Sequence, residues 1–93
     1  MTTDIDHLRE TIRIAAESRA RGDHPFGAVL VGPDGAVLLR WGNTFSTDGG
    51  TGHAEANVAR AAARLHAPDF LSKCTMYTSA EPCVMCTGSV YWA

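Results

Sequence analysis

The chain has 93 residues, too few for a second domain, and with 45% hydrophobic and 19% charged residues it is not a disordered tail. A formal net charge of −2 argues against a grip on nucleic acid or anionic membrane through bulk positive charge and favours a small neutral ligand. Folding at this length buries only roughly 60 to 65% of the unfolded chain's surface, so a metal, a disulfide or a partner subunit is expected in support.

From Thr3 to Arg21, Ile5, Leu8, Ile12 and Ala15/Ala16 recur at helical spacing, with Thr3 or Asp4 as N-cap and Gly22 as the stop. Its charged residues Arg9, Glu10, Arg13, Glu17 and Arg19 mix signs at spacings of three and four, which predicts a solvated face without function. Ala28–Val31 and Val37–Trp41 are apolar runs joined by Gly32-Pro33-Asp34-Gly35, the signature of an antiparallel hairpin. After a polar, Gly-rich loop from Gly42 to Gly52, Ala54, Val58, Ala61/Ala62 and Leu65 predict a second helix that stops before Pro68. Its Ala-rich face allows close packing on a sheet. Thr75–Ser79 reads as a strand of the same sheet, and Pro82 as the opening of a third helix. This order predicts one layered α/β domain over residues 1–93.

No apolar stretch approaches the ~20 residues needed to cross a bilayer, and Met1-Thr2-Thr3-Asp4 lacks a basic flank followed by an apolar run. A cytoplasmic location is therefore expected. The three cysteines, Cys74, Cys83 and Cys86, are then reduced thiols available as metal ligands.

The chemistry concentrates in His53-Ala54-Glu55 and Pro82-Cys83-Val84-Met85-Cys86. Two cysteines three apart in the first turn of a helix present both sulfurs on one side, where the helix N-terminus favours thiolates. His53, at the mouth of the second helix, supplies a neutral imidazole and completes a set of three zinc ligands. Three protein ligands leave one coordination position open, the arrangement of a catalytic site, in which zinc lowers the pKa of water to about 7. Glu55 is the base beside it. Residues two apart in a continuous helix point to opposite sides, so His53 and Glu55 converge only if His53 caps the helix. A closed structural site using Cys74 as a fourth ligand is opposed by geometry. Cys74 precedes a strand of about five residues, which places it ~15 Å or more from the other cysteines, as a small buried hydrophobe.

His-x-Glu followed by Pro-Cys-x-x-Cys is the known signature of zinc nucleobase deaminases. With Pro25-Phe26-Gly27-Ala28, Asn43, Gly52-His53-Ala54-Glu55 and Tyr77 through Cys86 to Tyr91-Trp92-Ala93, the chain resembles the cytidine deaminase-like superfamily. It is most similar to its guanine deaminase branch, with the transfer-RNA adenosine deaminases as near relatives. The resemblance implies a three-layer α-β-α sandwich, a Zn2+ cofactor, and hydrolytic deamination of a nucleobase with release of ammonia. Guanine to xanthine is the first choice. Another purine, cytosine, a nucleoside, transfer-RNA adenosine, or an inactive zinc-binding fragment is the alternative. The metal ligands would be His53, Cys83 and Cys86, with Glu55 as the proton carrier. Asn43, Phe26, Ala54 and Trp92 would contact substrate: Asn43 as reader of a purine edge or else a loop cap, Phe26 as a stacking face or else core. Glu81 either fixes the ligand loop or meets ammonia through its backbone. His24 reads as a loop residue, while His7 and His66 have no partner in view.

Members of the superfamily continue beyond the cysteine helix with two more strands and a helix. The resemblance therefore implies that the C-terminal strands are missing from this chain, leaving Thr75–Ser79 as an unpaired edge. A homodimer or a complementing C-terminal chain is expected to cover it.

Overall fold

A computed structural model describes residues 3–93. Along them run α1 (Asp4–Ala20), β1 (Gly27–Val31), β2 (Val37–Gly42), α2 (Phe45–Asp48), a 3-10 turn (Gly49–Thr51), α3 (Ala54–Leu65), α4 (Pro68–Leu71), β3 (Thr75–Thr78) and α5 (Val84–Trp92). The strands form one sheet in the order β2-β1-β3, with β1 antiparallel to both neighbours. The Gly-Pro-Asp-Gly turn closes the hairpin as its composition predicts: the Gly32 N–H donates to Ala36 O at 2.9 Å and the Ala36 N–H to Asp34 Oδ1 at 3.1 Å.

Every residue of β1 is buried, which a strand achieves only when both faces of the sheet are covered. Ala28 and Leu30 point to one side and join Ala54, Val58 and Ala62 of α3. Val29 and Val31 point to the other and join Ile14 of α1, with Tyr77 against them. With α5 packed on α3, the result is the expected three-layer sandwich of α1, sheet and α3/α5. β3 is an edge strand, paired only with β1 among the described residues.

α1 departs from its apolar periodicity. Thr3 does cap it, in a capping box with Asp6. Yet Ile5 and Ile12 are 60% and 61% exposed, and the buried face is His7, Thr11, Ile14, Ala15 and Ser18. The reason is close approach. Gly27 and Gly42 face each other in register, and a Cβ on Gly27 would lie 2.3 Å from the Thr11 carbonyl oxygen, one on Gly42 1.9 Å from Ser18 Oγ. Thr11, Ile14 and Ser18 of the helix meet bare glycine backbone on the sheet, so the Ile5/Ile12 stripe is turned outward. His7, expected to be partnerless, is buried with its ring centroid 4.9 Å from that of Tyr77, and His66 meets the Phe70 ring at the same separation. The charged face of α1 is also tied: Glu10 and Glu17 both accept from Arg40 of β2, at 2.8 and 3.3 Å. Such exposed pairs contribute little to stability.

α5 starts two residues later than expected. Cys83 is extended (φ −72°, ψ 176°) and serves as its N-cap, so Pro82 precedes the cap and does not open the first turn. α2, the 3-10 turn and α4 lie where a loop or no element was expected; four residues are too few to show a period. Cys74 is half-buried against the α3-side core, not fully buried. None of the helices among the described residues is long and apolar enough to cross a membrane.

Candidate active site

Two helix N-termini meet at the site. His53 is the N-cap of α3, extended at φ −77° and ψ 145°, which frees its ring from the helical repeat and lets it face the same side as Glu55, as convergence requires. Cys83 caps α5 and Cys86 lies in its first turn. His53 Nδ1 stands 3.4 Å from Cys83 Sγ and 3.4 Å from Cys86 Sγ. A tetrahedral zinc with Zn–S of about 2.3 Å and Zn–N of about 2.0 to 2.1 Å requires an S···N separation of about 3.6 Å, so the donor set fits the ion. All three ligand atoms lie within 4.8 Å of one another, and Cys74 is not among them.

The electrostatics also call for a cation. The Cys83 thiol is held below its ordinary value, chiefly by the backbone N–H of Cys86 in the turn ahead. Burial pushes the Cys86 thiol up to about 12, with the neighbouring Cys83 sulfur and the charge of Glu55 adding to the rise. Glu55 is only 7% exposed, and its carboxylate has no hydrogen-bond partner among the described residues. With the Cys86 sulfur buried and the Glu55 carboxylate beside it, a dication held there would compensate the negative charge.

A cavity of about 120 Å³ opens over this set, lined by His24, Phe26, Asn43, His53, Glu55, Ala80, Glu81 and Cys83. Larger hollows lie beside α4, and between α1 and β2, but neither holds the ligand set. Of the expected substrate contacts, Phe26 and Asn43 line the cavity. Asn43 Oδ1 accepts from the Phe45 N–H at 2.9 Å, the loop-cap alternative, and its Nδ2 makes no hydrogen bond among the described residues. Ala54 does not line the cavity; its side chain is fully buried in the α3-side core. Trp92 also lies outside it, 84% exposed at the far end of α5, because a nine-residue helix carries it about two and a half turns away from Cys83. His24, Ala80 and Glu81 are cavity residues that sequence periodicity did not select. His24 lies in the loop before β1, its ring stacked at 4.9 Å on Phe45, and only the fold of the loops brings it to the zinc ligands.

The cytosine deaminase (probable) of Schizosaccharomyces pombe is 37% identical over 90 residues, covering 97% of this chain and 54% of that protein. The guanine deaminase of Bacillus subtilis is 40% identical over 88 residues, covering 92% and 56%. An X-ray structure of guanine deaminase from Bacillus subtilis superimposes with a TM-score of 0.84 at 34% identity, over 99% of this chain and 59% of that one. A tRNA-specific adenosine deaminase of Bacillus subtilis is 35% identical over 91 residues, covering 97% and 56%. The chain thus spans about half the length of the curated relatives it matches. The family described as the cytidine and deoxycytidylate deaminase zinc-binding region matches residues 1–93, and the chain belongs to that family.

Proposed function

We propose that residues 1–93 form the metal-binding domain of a hydrolytic deaminase acting on the exocyclic amine of a nucleobase, guanine in the first place. The observation that carries this is the joining, at one cavity, of three donors that fit zinc, the Glu55 carboxylate and the Asn43 side-chain amide. His53, Cys83 and Cys86 would hold zinc, which supplies Lewis acidity and an open coordination position that acidifies water. Glu55 accepts a proton from the attacking water, passes it to the ring nitrogen beside the amidine carbon, and delivers a proton to the leaving amine. The base gains the oxygen and loses ammonia. Asn43 Nδ2 donates to an acceptor on the base edge, and the half-exposed ring of Phe26 offers a stacking face.

The guanine deaminase of Bacillus subtilis supports guanine, the Schizosaccharomyces pombe protein supports cytosine, and the tRNA-specific enzyme removes the force of the net charge as an argument against nucleic acid. The unpaired edge of β3 and the exposed Val84, Tyr91 and Trp92 of α5 support association with a second copy or a complementing chain. Metal analysis combined with ammonia release from guanine, adenine, cytosine, their nucleosides and a transfer RNA tests the reading. One equivalent of zinc with release from guanine is expected; a metal-free protein, or no release from any of them, would overturn it.

A further inference from the structure

Asn57 is 2% exposed on α3, on the face otherwise made of Ala54, Val58, Ala59 and Ala62. A polar side chain on an alanine face is costly unless fully bonded, and this one is. Its Nδ2 donates to the Gly42 carbonyl at 3.1 Å and to Thr44 Oγ1 at 3.0 Å, while its Oδ1 accepts from Arg60 Nη2 at 2.9 Å. The carbonyl can only accept and the guanidinium can only donate, so the amide has one possible orientation. The two residues it holds flank Asn43. Thr44 in turn joins the strand end to the segment leading into α3: its N–H donates to Gly52 O at 2.8 Å, next to His53. Asn57 N–H completes the ring by donating to His53 O at 2.9 Å.

We infer that Asn57 is the positioning residue that sets Asn43 against Glu55 and His53. Glu55 and His53 ride on the N-terminus of α3, whereas Asn43 leaves the end of β2. Asn57 is one helical turn along from His53 and reaches across to both sides of Asn43, so the amide donor is registered to the helix that carries the proton-transfer group. No substrate or metal contact is required of Asn57. The inference rests on the deaminase reading given above, and deepens it by naming what orients the base-reading amide.

The test combines Asn57→Ala, which leaves the donation of Thr44 Oγ1 to Asp48 Oδ2 at 2.6 Å in place, with Thr44→Val, which removes that bond together with the acceptor for Asn57, and Thr44→Ser, which keeps both. Amide hydrogen exchange by NMR is read at Thr44 and Phe45, along with zinc content and deamination kinetics. Expected for Asn57→Ala and Thr44→Val are zinc content equal to wild type, exchange of the Phe45 N–H at least tenfold faster, and kcat/KM lowered at least tenfold. Thr44→Ser should restore both within about threefold. In an Asn43→Ala background, Asn57→Ala should cost less than a further twofold, because the residue it positions is already gone. Unchanged exchange at Phe45, or an undiminished loss in the Asn43→Ala background, would overturn the inference. A wild-type protein inactive on every base would remove the deaminase reading, and the exchange rates would still decide whether Asn57 holds the loop.

Discussion

Glu55→Gln is the most informative single change. Glutamine matches glutamate in size, and no described residue hydrogen-bonds the Glu55 carboxylate, so the substitution breaks no internal bond and leaves no cavity. The zinc set is His53, Cys83 and Cys86, so the metal should stay. What is lost is the capacity to take up and hand on a proton. General acid–base catalysis contributes about 10² to 10⁴-fold, which at 1.36 kcal/mol per decade is about 2.7 to 5.4 kcal/mol in the barrier. The upper end is expected, because in the proposed reaction Glu55 acts on both the water proton and the departing amine. Ammonia release by the zinc-loaded protein, with metal content measured on the same sample, gives the comparison. The reasoning fails if the variant loses zinc as the ligand variants do, or keeps kcat within tenfold of wild type.

Further outcomes follow from the same geometry. Cys86→Ala or His53→Ala should lose bound zinc, seen by elemental analysis, and with it thermal stability, since the ion ties α3 to α5; retention of a full equivalent would show that the donor set is wrong. Asn43→Asp keeps the oxygen that accepts from the Phe45 N–H and removes the amide donor, so kcat/KM on the best base should fall by roughly 1 to 3 kcal/mol, while equal values across guanine, adenine and cytosine would refute base reading. Asp23 is held below the usual carboxylate range by the hydrogen bonds from Ser46 and the nearby Arg21. A depressed native pKa means the unfolded state takes up the proton first, so this contribution is complete above about pH 4 and lost as pH falls through the native value. Urea midpoints followed by circular dichroism should therefore drop below pH 4 in the wild type and less so in Asp23→Asn; parallel profiles would contradict the assignment.

The gathering of His53, Cys83 and Cys86 beside Glu55 was legible in the sequence because it depends on local spacing. Cys83 and Cys86 need only the first turn of one helix to bring their sulfurs together, and His53 needs only to cap another. The hairpin, the Ala-rich helix and the layered architecture were legible for the same reason, since turn chemistry and periodicity act over a few residues. Tertiary structure decided the rest. It turned Ile5 and Ile12 outward and Thr11, Ile14 and Ser18 inward, because the paired Gly27 and Gly42 let that face of the helix approach the sheet backbone closely, a constraint set by residues far along the chain. It drew His24 into the cavity and left Trp92 outside, because the loop path and the helix length place them and no local period records either. It also placed Asn57 under the strand end that carries Asn43, where a polar residue on an alanine face finds its partners fifteen residues back along the chain.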